Sequence, residues 1–390
     1  MPSFKRDILH IRENLESRYE LRKHLKGYSG AARAEAARGY GDQALRHGEY
    51  NTALHAYEQA KDPDRLMALG STILGEVEIP KNAGRIAVEA MEQARKLKPE
   101  GEAAHGKIVR GSFYSPSLGK EMRYNVYLPP GYDSAKEKYP AIYFFNAAGG
   151  NQNEWLVVGK INKAVDELMS KGLMSKAIIV MPDMENGTIL NHDELTAPMK
   201  IVEKFTGKGL NYENYVVNDL IPQIDGRFRT VADRRGRATD GICQGATNAV
   251  SVALKHPDMF LSAAGHTAGY GNIKLGERAK DVKVYLDASV FDPIYVLSRN
   301  FSKQLEKSGV NHVFTGYRDG IGAVKKEFWR DVKKLARGRF SPTSVAAGAA
   351  MLSYASLTPH NWTAFRKRVK NSLMFHSANF ENAGKTSPTT

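Results

Sequence analysis

The run Gly-Ile-Cys-Gln-Gly at residues 241–245 constrains the fold of this chain more than any other stretch. Two glycines that flank a nucleophilic residue, each separated from it by one other residue, form a sharp turn from a strand into a helix. Residues 238–242 have the length of a buried strand, and residues 246–255 have helical spacing. The turn therefore predicts a sheet whose strand end presents residue 243. Most such turns carry serine, whereas this one carries Cys243, the single cysteine of the chain.

Strand and helix patterns alternate around this turn. Residues 108–114 and 121–128 alternate as a hairpin does, and Pro129-Pro130-Gly131 closes the second strand. Short apolar runs then follow at 141–145, 177–181, 238–242, 262–265, 282–286 and 311–315. Helical patterns lie at 160–171, 214–227, 246–255, 294–308 and 324–336. This alternation predicts an α/β domain at 106–338 with one doubly wound, mostly parallel sheet.

Two helical segments are predicted before this domain, and a basic extension is predicted after it. Residues 1–30 hold one amphipathic helix. Residues 31–105 carry a 34-residue period, with equivalent positions at Gly41 and Gly75, Ala53 and Ala87, Tyr57 and Met91, and Ala60 and Ala94. The period is typical of tetratricopeptide hairpins, which dock to proteins; a plain helical hairpin is the alternative. Residues 339–390 form a basic C-terminal extension, which is a second candidate surface for a protein partner.

Composition and charge exclude several classes of protein. The 56 Lys and Arg residues exceed the 42 Asp and Glu residues, for a net charge of +14, but no RNA-binding signature accompanies this excess, and nucleic-acid binding is not favoured. A single cysteine excludes an intrachain disulfide. No apolar run has the length of a signal peptide or a membrane span. We expect a soluble, non-secreted protein in the cytoplasm or in a larger assembly, with no cofactor and no metal.

Several motifs occur in an order that resembles a known family. They are Leu128-Pro129-Pro130-Gly131-Tyr132, Tyr139-Pro140-Ala141, Gly149-Gly150 with Trp155, Val180-Met181-Pro182-Asp183, Asp219-Leu220-Ile221-Pro222, the turn at 241–245, and His256-Pro257-Asp258-Met259-Phe260. Over residues 107–337 the chain resembles the "Putative esterase" family, which contains esterase D, feruloyl esterases and, more distantly, mycolyltransferases. The resemblance implies an α/β-hydrolase fold and acyl transfer by a nucleophile, a histidine and an acid, with backbone amides that hold the oxyanion.

Three of these four parts have counterparts here. The resemblance assigns the nucleophile to Cys243 and the acid to Asp292, with Asp287 as a nearby competitor. The oxyanion amides fall on Ala147 and Gln244, although Asn146-Ala147 stands where relatives usually have His-Gly. Dienelactone hydrolases use a cysteine at this turn, so Cys243 is either a working nucleophile or the remnant of one.

The histidine is the part that is missing. Family members place it five residues before a tryptophan; Trp329 is present, but Val324 stands at the histidine position. No histidine occurs between His312 and His360. His266, which follows the strand after the turn, is the candidate for a relocated base.

Two functions follow from this pattern. The first is a non-catalytic binding or structural module in a protein assembly, docked through residues 31–105 and the C-terminal extension. The alternative is a cysteine-dependent carboxylester or thioester hydrolase, or an acyltransferase, that acts on a small ester with Cys243 and a relocated base.

Overall fold

The structure is a computed structural model that carries all side-chain atoms. It describes residues 2–76, 78–80, 83–99, 101, 104–185, 187–194, 212–292, 294–318 and 362–385. These residues form two compact units. The larger one comprises Ala104–Asp166 and Lys176–His376, and the smaller one comprises Met1–Ala103, Glu167–Ser175 and Ser377–Thr390. The smaller unit thus contains the N-terminal helices together with two short later segments.

An eight-stranded sheet forms the centre of the larger unit. In chain order its strands are β1 (Lys107–Ser115), β2 (Lys120–Leu128), β3 (Ala141–Phe145), β4 (Ile178–Pro182), β5 (Arg237–Gly241), β6 (Ser262–His266), β7 (Lys283–Ser289) and β8 (His312–Tyr317). Their spatial order is β1-β2-β4-β3-β5-β6-β7-β8. The strands from β3 to β8 pair in parallel, while β1, β2 and β4 pair antiparallel at one edge.

The predicted fold class is confirmed by this sheet. The continuous apolar runs in β3 and β4 are buried along their whole length, as expected for strands that helices cover on both faces. β3 lies beside β5, with Phe145 opposite Gly241. The carboxyl ends of parallel strands meet at one edge of a sheet, so the turn after β5 lies beside the loop after β3.

The helices of the described residues flank this sheet or precede it. They are α1 (Pro2–His24), α2 (Gly30–Arg46), α3 (Tyr50–Ala60), α4 (Pro63–Gly75), α5 (Ala83–Leu97), α6 (Glu154–Val157), α7 (Ile161–Ser170), α8 (Ile221–Arg227), α9 (Gln244–Lys255), α10 (Tyr295–Lys307) and α11 (Trp362–Lys385). A π-helical turn at Tyr215–Leu220 leads into α8. The helix predicted at 324–336 lies outside the described residues.

The smaller unit contains two helical hairpins, α2 with α3 and α4 with α5. Positions 34 residues apart are buried in both: Ala53 and Ala87, Tyr57 and Met91, Ala60 and Ala94. Gly41 contacts Tyr57 so closely that a Cβ at Gly41 would lie 2.5 Å from its ring. Most positions of the period thus lie where two helices of a hairpin pack against each other. Gly75 is different, because a Cβ there would lie 2.9 Å from Asn382 of α11.

The C-terminal helix α11 is more buried than a basic tail would be. Its charged residues include Arg368, which is among the largest fully buried side chains of the described chain. The side chains of residues 371–380 are all buried. The basic amphipathic pattern of this segment reflects a packed helix rather than a solvated extension.

The arginines that cluster at 227–237 are also used inside the larger unit. Each has a partner: Arg227 donates to Tyr124, Arg229 stacks on Tyr132, Arg234 donates to Pro257, Arg235 pairs with Asp233, and Arg237 pairs with Asp225. These contacts tie the loops at 227–237 to neighbouring segments.

Candidate active site

The turn at 241–245 has the geometry that the sequence predicts. Cys243 lies between β5 and α9 with φ 53° and ψ −121°, a conformation that is unfavourable for a residue with a side chain. A Cβ at Gly245 would lie 2.3 Å from the Phe145 carbonyl oxygen, and one at Gly241 would lie 2.4 Å from the backbone of Gly245. Both glycines are therefore required because β3, β5 and the start of α9 approach each other closely.

Cys243 is half-buried at this turn. Its backbone N–H donates to the His266 carbonyl oxygen at 3.1 Å, which anchors the turn to the end of β6. Within the part of the chain that the structure describes, the Cys243 sulfur makes no hydrogen bond. The thiol is therefore presented by the fold but not engaged by a described base.

The ring of His266 is held by two carboxylates. Nδ1 lies 2.6 Å from Asp287 Oδ2 on β7, and Nε2 lies 3.2 Å from Asp240 Oδ1 on β5. Nε2 is also 3.1 Å from the Ser372 hydroxyl on α11. The three ionisable side chains are completely buried. The structure thus brings His266 near Cys243 through its backbone, while its ring nitrogens are occupied by other partners.

The electrostatics of this cluster favour a protonated imidazole. Burial alone would lower the pKa of His266, but the negative charges of Asp287 and Asp240 outweigh it and raise this pKa to about 10. Burial likewise opposes ionisation of Asp240, but the imidazolium of His266 lowers the Asp240 pKa to about 2. The two carboxylates therefore favour the protonated imidazole, which has no lone pair with which to accept a proton.

Ser372, His266 and Asp287 have the contacts of a hydrolase triad, but they lie in the protein interior. In a working triad the histidine is neutral and accepts the serine proton. Here the second carboxylate, Asp240, keeps the imidazole charged, and Ser372 donates to Asp240 at 2.6 Å. The arrangement is a buried ion-pair network.

Helix α11 completes the network. Arg368 lies 3.5 Å from Asp287 and donates to the Thr267 hydroxyl at 3.0 Å. His376 Nδ1 contacts the Ser262 hydroxyl at 2.8 Å, and its Nε2 is 3.6 Å from Asp240. Sequence analysis did not predict this network. The available signals were the aspartates within apolar strands and the spacing of Arg368, Ser372 and His376, four residues apart on one helix face.

The two candidate acids are placed differently. Asp287 is committed to His266 and Arg368. Asp292 is buried in the loop after β7, and its Oδ1 accepts the Ile294 N–H at 3.0 Å, just before α10 begins. The Asp292 side chain therefore closes the turn that leads into α10.

The amides predicted to hold an oxyanion differ in their present partners. The Ala147 N–H donates to Glu154 Oε2 at 2.8 Å. Burial raises the pKa of Glu154 to about 7, although this hydrogen bond acts in the opposite direction. Gln244 begins α9, and its side chain donates to the Gly187 carbonyl oxygen at 3.2 Å. Sequence analysis did not single out Glu154, which directly precedes Trp155.

The loops around the site are joined by Asn146. Its Nδ2 donates to the Ala147 and Glu185 carbonyl oxygens, and its Oδ1 accepts the Met184 N–H at 2.9 Å. Asn146 thus holds the loop after β3 against the loop after β4.

The remaining predictions concern the missing histidine, a metal site and a membrane span. The histidine position, Val324, lies outside the described residues, as does Trp329. Across the described ranges, no group of three or more His, Cys, Asp or Glu side chains could hold a metal ion. None of the described helices is both long and apolar enough to span a membrane.

Comparison with known proteins agrees with this geometry. Residues 115–330 match the model of a family described as "Putative esterase". An endo-1,4-beta-xylanase/feruloyl esterase of Xylanibacter ruminicola is 33% identical over 165 residues, which cover 40% of this chain and 21% of that protein. Esterase Rv1288 of Mycobacterium tuberculosis is 29% identical over 157 residues, covering 40% of this chain and 31% of the relative.

The fold likeness extends further than the sequence likeness. A ferulic acid esterase of known structure superposes with a TM-score of 0.52 at 19% identity, over 70% of this chain and 99% of that one. This likeness supports the fold alone. The chain spans less than a third of the length of the two curated relatives named above.

Proposed function

Since this chain belongs to the "Putative esterase" family, we propose that it keeps the esterase architecture as a non-catalytic binding module in a protein assembly. In this proposal the turn at Cys243 and the loops around it form a pocket for a small acyl compound, and no hydrolysis follows. The feruloyl esterase relatives suggest an aromatic or other apolar acyl group as the class of ligand.

The state of His266 is the observation that carries the proposal. A thiol or hydroxyl nucleophile needs a neutral base within hydrogen-bond reach. His266 lies next to the turn, but its ring nitrogens contact Asp287 and Asp240, and its pKa of about 10 keeps it protonated. Val324 at the family's histidine position supports the same conclusion, because valine cannot accept a proton. Loss of a triad base lowers the rate by several orders of magnitude.

Residues 31–105 are the proposed docking segment for the protein partner. Their helical hairpins resemble tetratricopeptide units in period, and an ion-pair cluster stabilises them: Arg65 contacts Asp42 at 2.9 Å and Asp62 at 3.1 Å. The C-terminal helix contributes little to this proposal, because most of its side chains are buried.

Steady-state hydrolysis of 4-nitrophenyl acetate and butyrate tests the proposal. We expect the wild-type protein to release nitrophenol no faster than the Cys243→Ala variant. Turnover that depends on Cys243 and continues beyond one equivalent contradicts a non-catalytic role. Docking is tested by affinity capture with the full chain and with a chain that lacks residues 1–103; a partner retained equally by both argues against docking through the hairpins.

One observation favours the alternative, a cysteine-dependent ester or thioester hydrolase. Cys243 keeps a φ of 53°, which places its side chain at the apex of the turn as a nucleophile requires. This alternative requires a histidine other than His266, or a carboxylate, to take the thiol proton. If Cys243-dependent turnover is found, its pH profile should rise with the pKa of that base.

A further inference from the structure

The Ala147 amide is one of the two donors expected to bind a carbonyl oxygen beside Cys243. Ala147 follows Phe145 and Asn146 at the end of β3. The carbonyl oxygens of these two residues lie within 2.5 Å of the position that a Cβ on Gly245 would occupy. The end of β3 therefore contacts the start of α9, two residues after Cys243, and the Ala147 amide belongs to the same small region.

The carboxylate of Glu154 already accepts this amide. The Ala147 nitrogen lies 2.8 Å from Glu154 Oε2, and the same oxygen packs over Gly150, where an added Cβ would be 2.3 Å from it. Glu154 begins the one-turn helix α6, and its neighbour Trp155 donates its indole N–H to the Phe145 carbonyl oxygen at 2.8 Å. The position of Glu154 is thus fixed to the strand end that carries the amide.

A carboxylate is a stronger acceptor for a backbone N–H than the neutral carbonyl of an ester or thioester. An acyl compound that needs the Ala147 amide must therefore displace Glu154 from it. Above its pKa of about 7, Glu154 also carries a negative charge that opposes the charge developing on the carbonyl oxygen during acyl transfer. Both effects weaken the site for acyl chemistry, independently of the missing base.

We propose that Glu154 is a positioning residue that occupies the carbonyl-binding position beside Cys243, so that uncharged acyl compounds bind and react there only when its carboxylate moves away. This inference rests on the proposed function. It gives a second reason, besides the missing base, why the acyl group of a bound compound is not transferred efficiently. It assigns to Glu154 control over the access of an ester or thioester carbonyl to the Ala147 amide.

Single-turnover acylation of Cys243 tests this role. With 4-nitrophenyl butyrate, the Cys243 sulfur forms a bond to the acyl carbon, the bond from this carbon to the phenolic oxygen breaks, and nitrophenolate leaves. The thiol proton passes to solvent. The butyryl thioester adds a fixed mass to the intact protein, so its formation is followed by mass spectrometry at constant pH, with the Cys243→Ala variant as the blank.

Variants of Glu154 give graded predictions. Loss of one oxyanion donor typically slows acyl transfer by about 100- to 1000-fold, so Glu154→Ala, which frees the Ala147 amide, should acylate about tenfold faster than wild type or more. In Glu154→Gln the amide oxygen still accepts the bond, so the gain should be only a few-fold. Glu154→Asp shortens the side chain by one methylene and should fall between the wild type and Glu154→Ala.

A remote glutamate provides the control. Glu121 lies on β2, is exposed and contacts Ser112, so Glu121→Ala should acylate at the wild-type rate. Equal rates in wild type and Glu154→Ala, including no detectable acylation of either, overturn the inference. If Glu154→Ala does not fold, the acylation rate of Glu154→Asp is compared with that of the wild type, and a rate no faster than wild type overturns the inference. Continued turnover in the wild type would instead refute the non-catalytic proposal, and the two failures are therefore distinguishable.

Discussion

The buried cation at His266 makes the stability of the protein fall as the pH rises, and the His266→Gln variant should abolish this dependence. The imidazole has an ordinary pKa of 6.5 when the chain is unfolded and a pKa of about 10 in the folded protein. Between these values the folded state binds the additional proton. The stabilisation is therefore fully present below pH 6.5 and is lost as the pH rises through 10.

The magnitude follows from the linkage relation. One proton that is bound only in the folded state lowers the free energy of unfolding by about 1.4 kcal/mol per pH unit. Between pH 7 and 9 this amounts to about 3 kcal/mol. The groups that face the imidazole are Asp240, Asp287, the Ser372 hydroxyl and the ring of Tyr285, with Arg368 and His376 behind the two carboxylates. None of these partners has an ordinary pKa between 7 and 9. Glu154, with a pKa of about 7, adds less than about 0.5 kcal/mol between pH 7 and 9, so His266 dominates this window.

Urea unfolding, monitored by tryptophan fluorescence, to which the buried Trp155 contributes, measures the free energy of unfolding at pH 7, 8 and 9. All variants carry Cys243→Ala so that the thiol does not titrate. His266→Gln should be less stable at pH 7 by about 3–5 kcal/mol, because it leaves two buried carboxylates without their cation. It should also show almost no change between pH 7 and 9.

A second histidine supplies the matched control. Burial lowers the pKa of His312, so its effect on stability appears below pH 6.5 and has the opposite sign. His312→Gln should therefore keep the wild-type slope between pH 7 and 9. An equal slope in the wild type and in His266→Gln would refute the conclusion that His266 is a cation in the folded protein, and with it the observation that carries the proposed function.

Two further predictions concern the architecture of the turn and its support. Gly245→Ala should destabilise the protein by more than about 3 kcal/mol, because its Cβ would overlap the Phe145 carbonyl oxygen. Gly226→Ala is the control: its added methyl meets nothing within 4 Å, so this variant should be neutral or slightly stabilising. Thermal unfolding of both variants measures the difference. Arg368→Met removes the cation beside Asp287 and should lower the free energy of unfolding by about 3–5 kcal/mol in the same urea assay. The control is Arg366→Met. The Arg366 guanidinium donates to the Val158 carbonyl oxygen at the surface, so its loss should cost less than about 1 kcal/mol.

The fold could be predicted from local sequence because its strands are short, continuous and buried. The pattern placed β3 at 141–145, where the structure has Ala141–Phe145, and the other parallel strands were displaced by at most a few residues at either end. In β3 and β4, which are covered on both faces, almost every residue is apolar and the signal is strong. The signal is weaker in β5 and β6, which carry buried polar residues. The turn at 241–245 was equally predictable, because its glycines are required by backbone contacts.

The surroundings of the turn could not be predicted in the same way. The pairing of His266 with Asp240 and Asp287 joins three strands, and its contact to Ser372 joins a helix more than 100 residues later. A single sequence contains no local pattern that specifies such contacts. The basic segment after residue 360 was similarly ambiguous, because a buried arginine and a solvated one look identical until the tertiary partner is known.

The strained backbone of Cys243 does not by itself indicate catalysis. A residue with φ near 53° costs about 1–3 kcal/mol and persists only where its surroundings determine it. Here they do so without any reference to chemistry: Gly241 and Gly245 pack against backbone, and the Cys243 N–H is fixed to His266, whose ring is fixed in turn by buried carboxylates. The turn is thus an obligatory part of this sheet, and it would survive the loss of a base. Reactivity at Cys243 depends instead on groups that packing does not require, namely a neutral base and an unoccupied Ala147 amide.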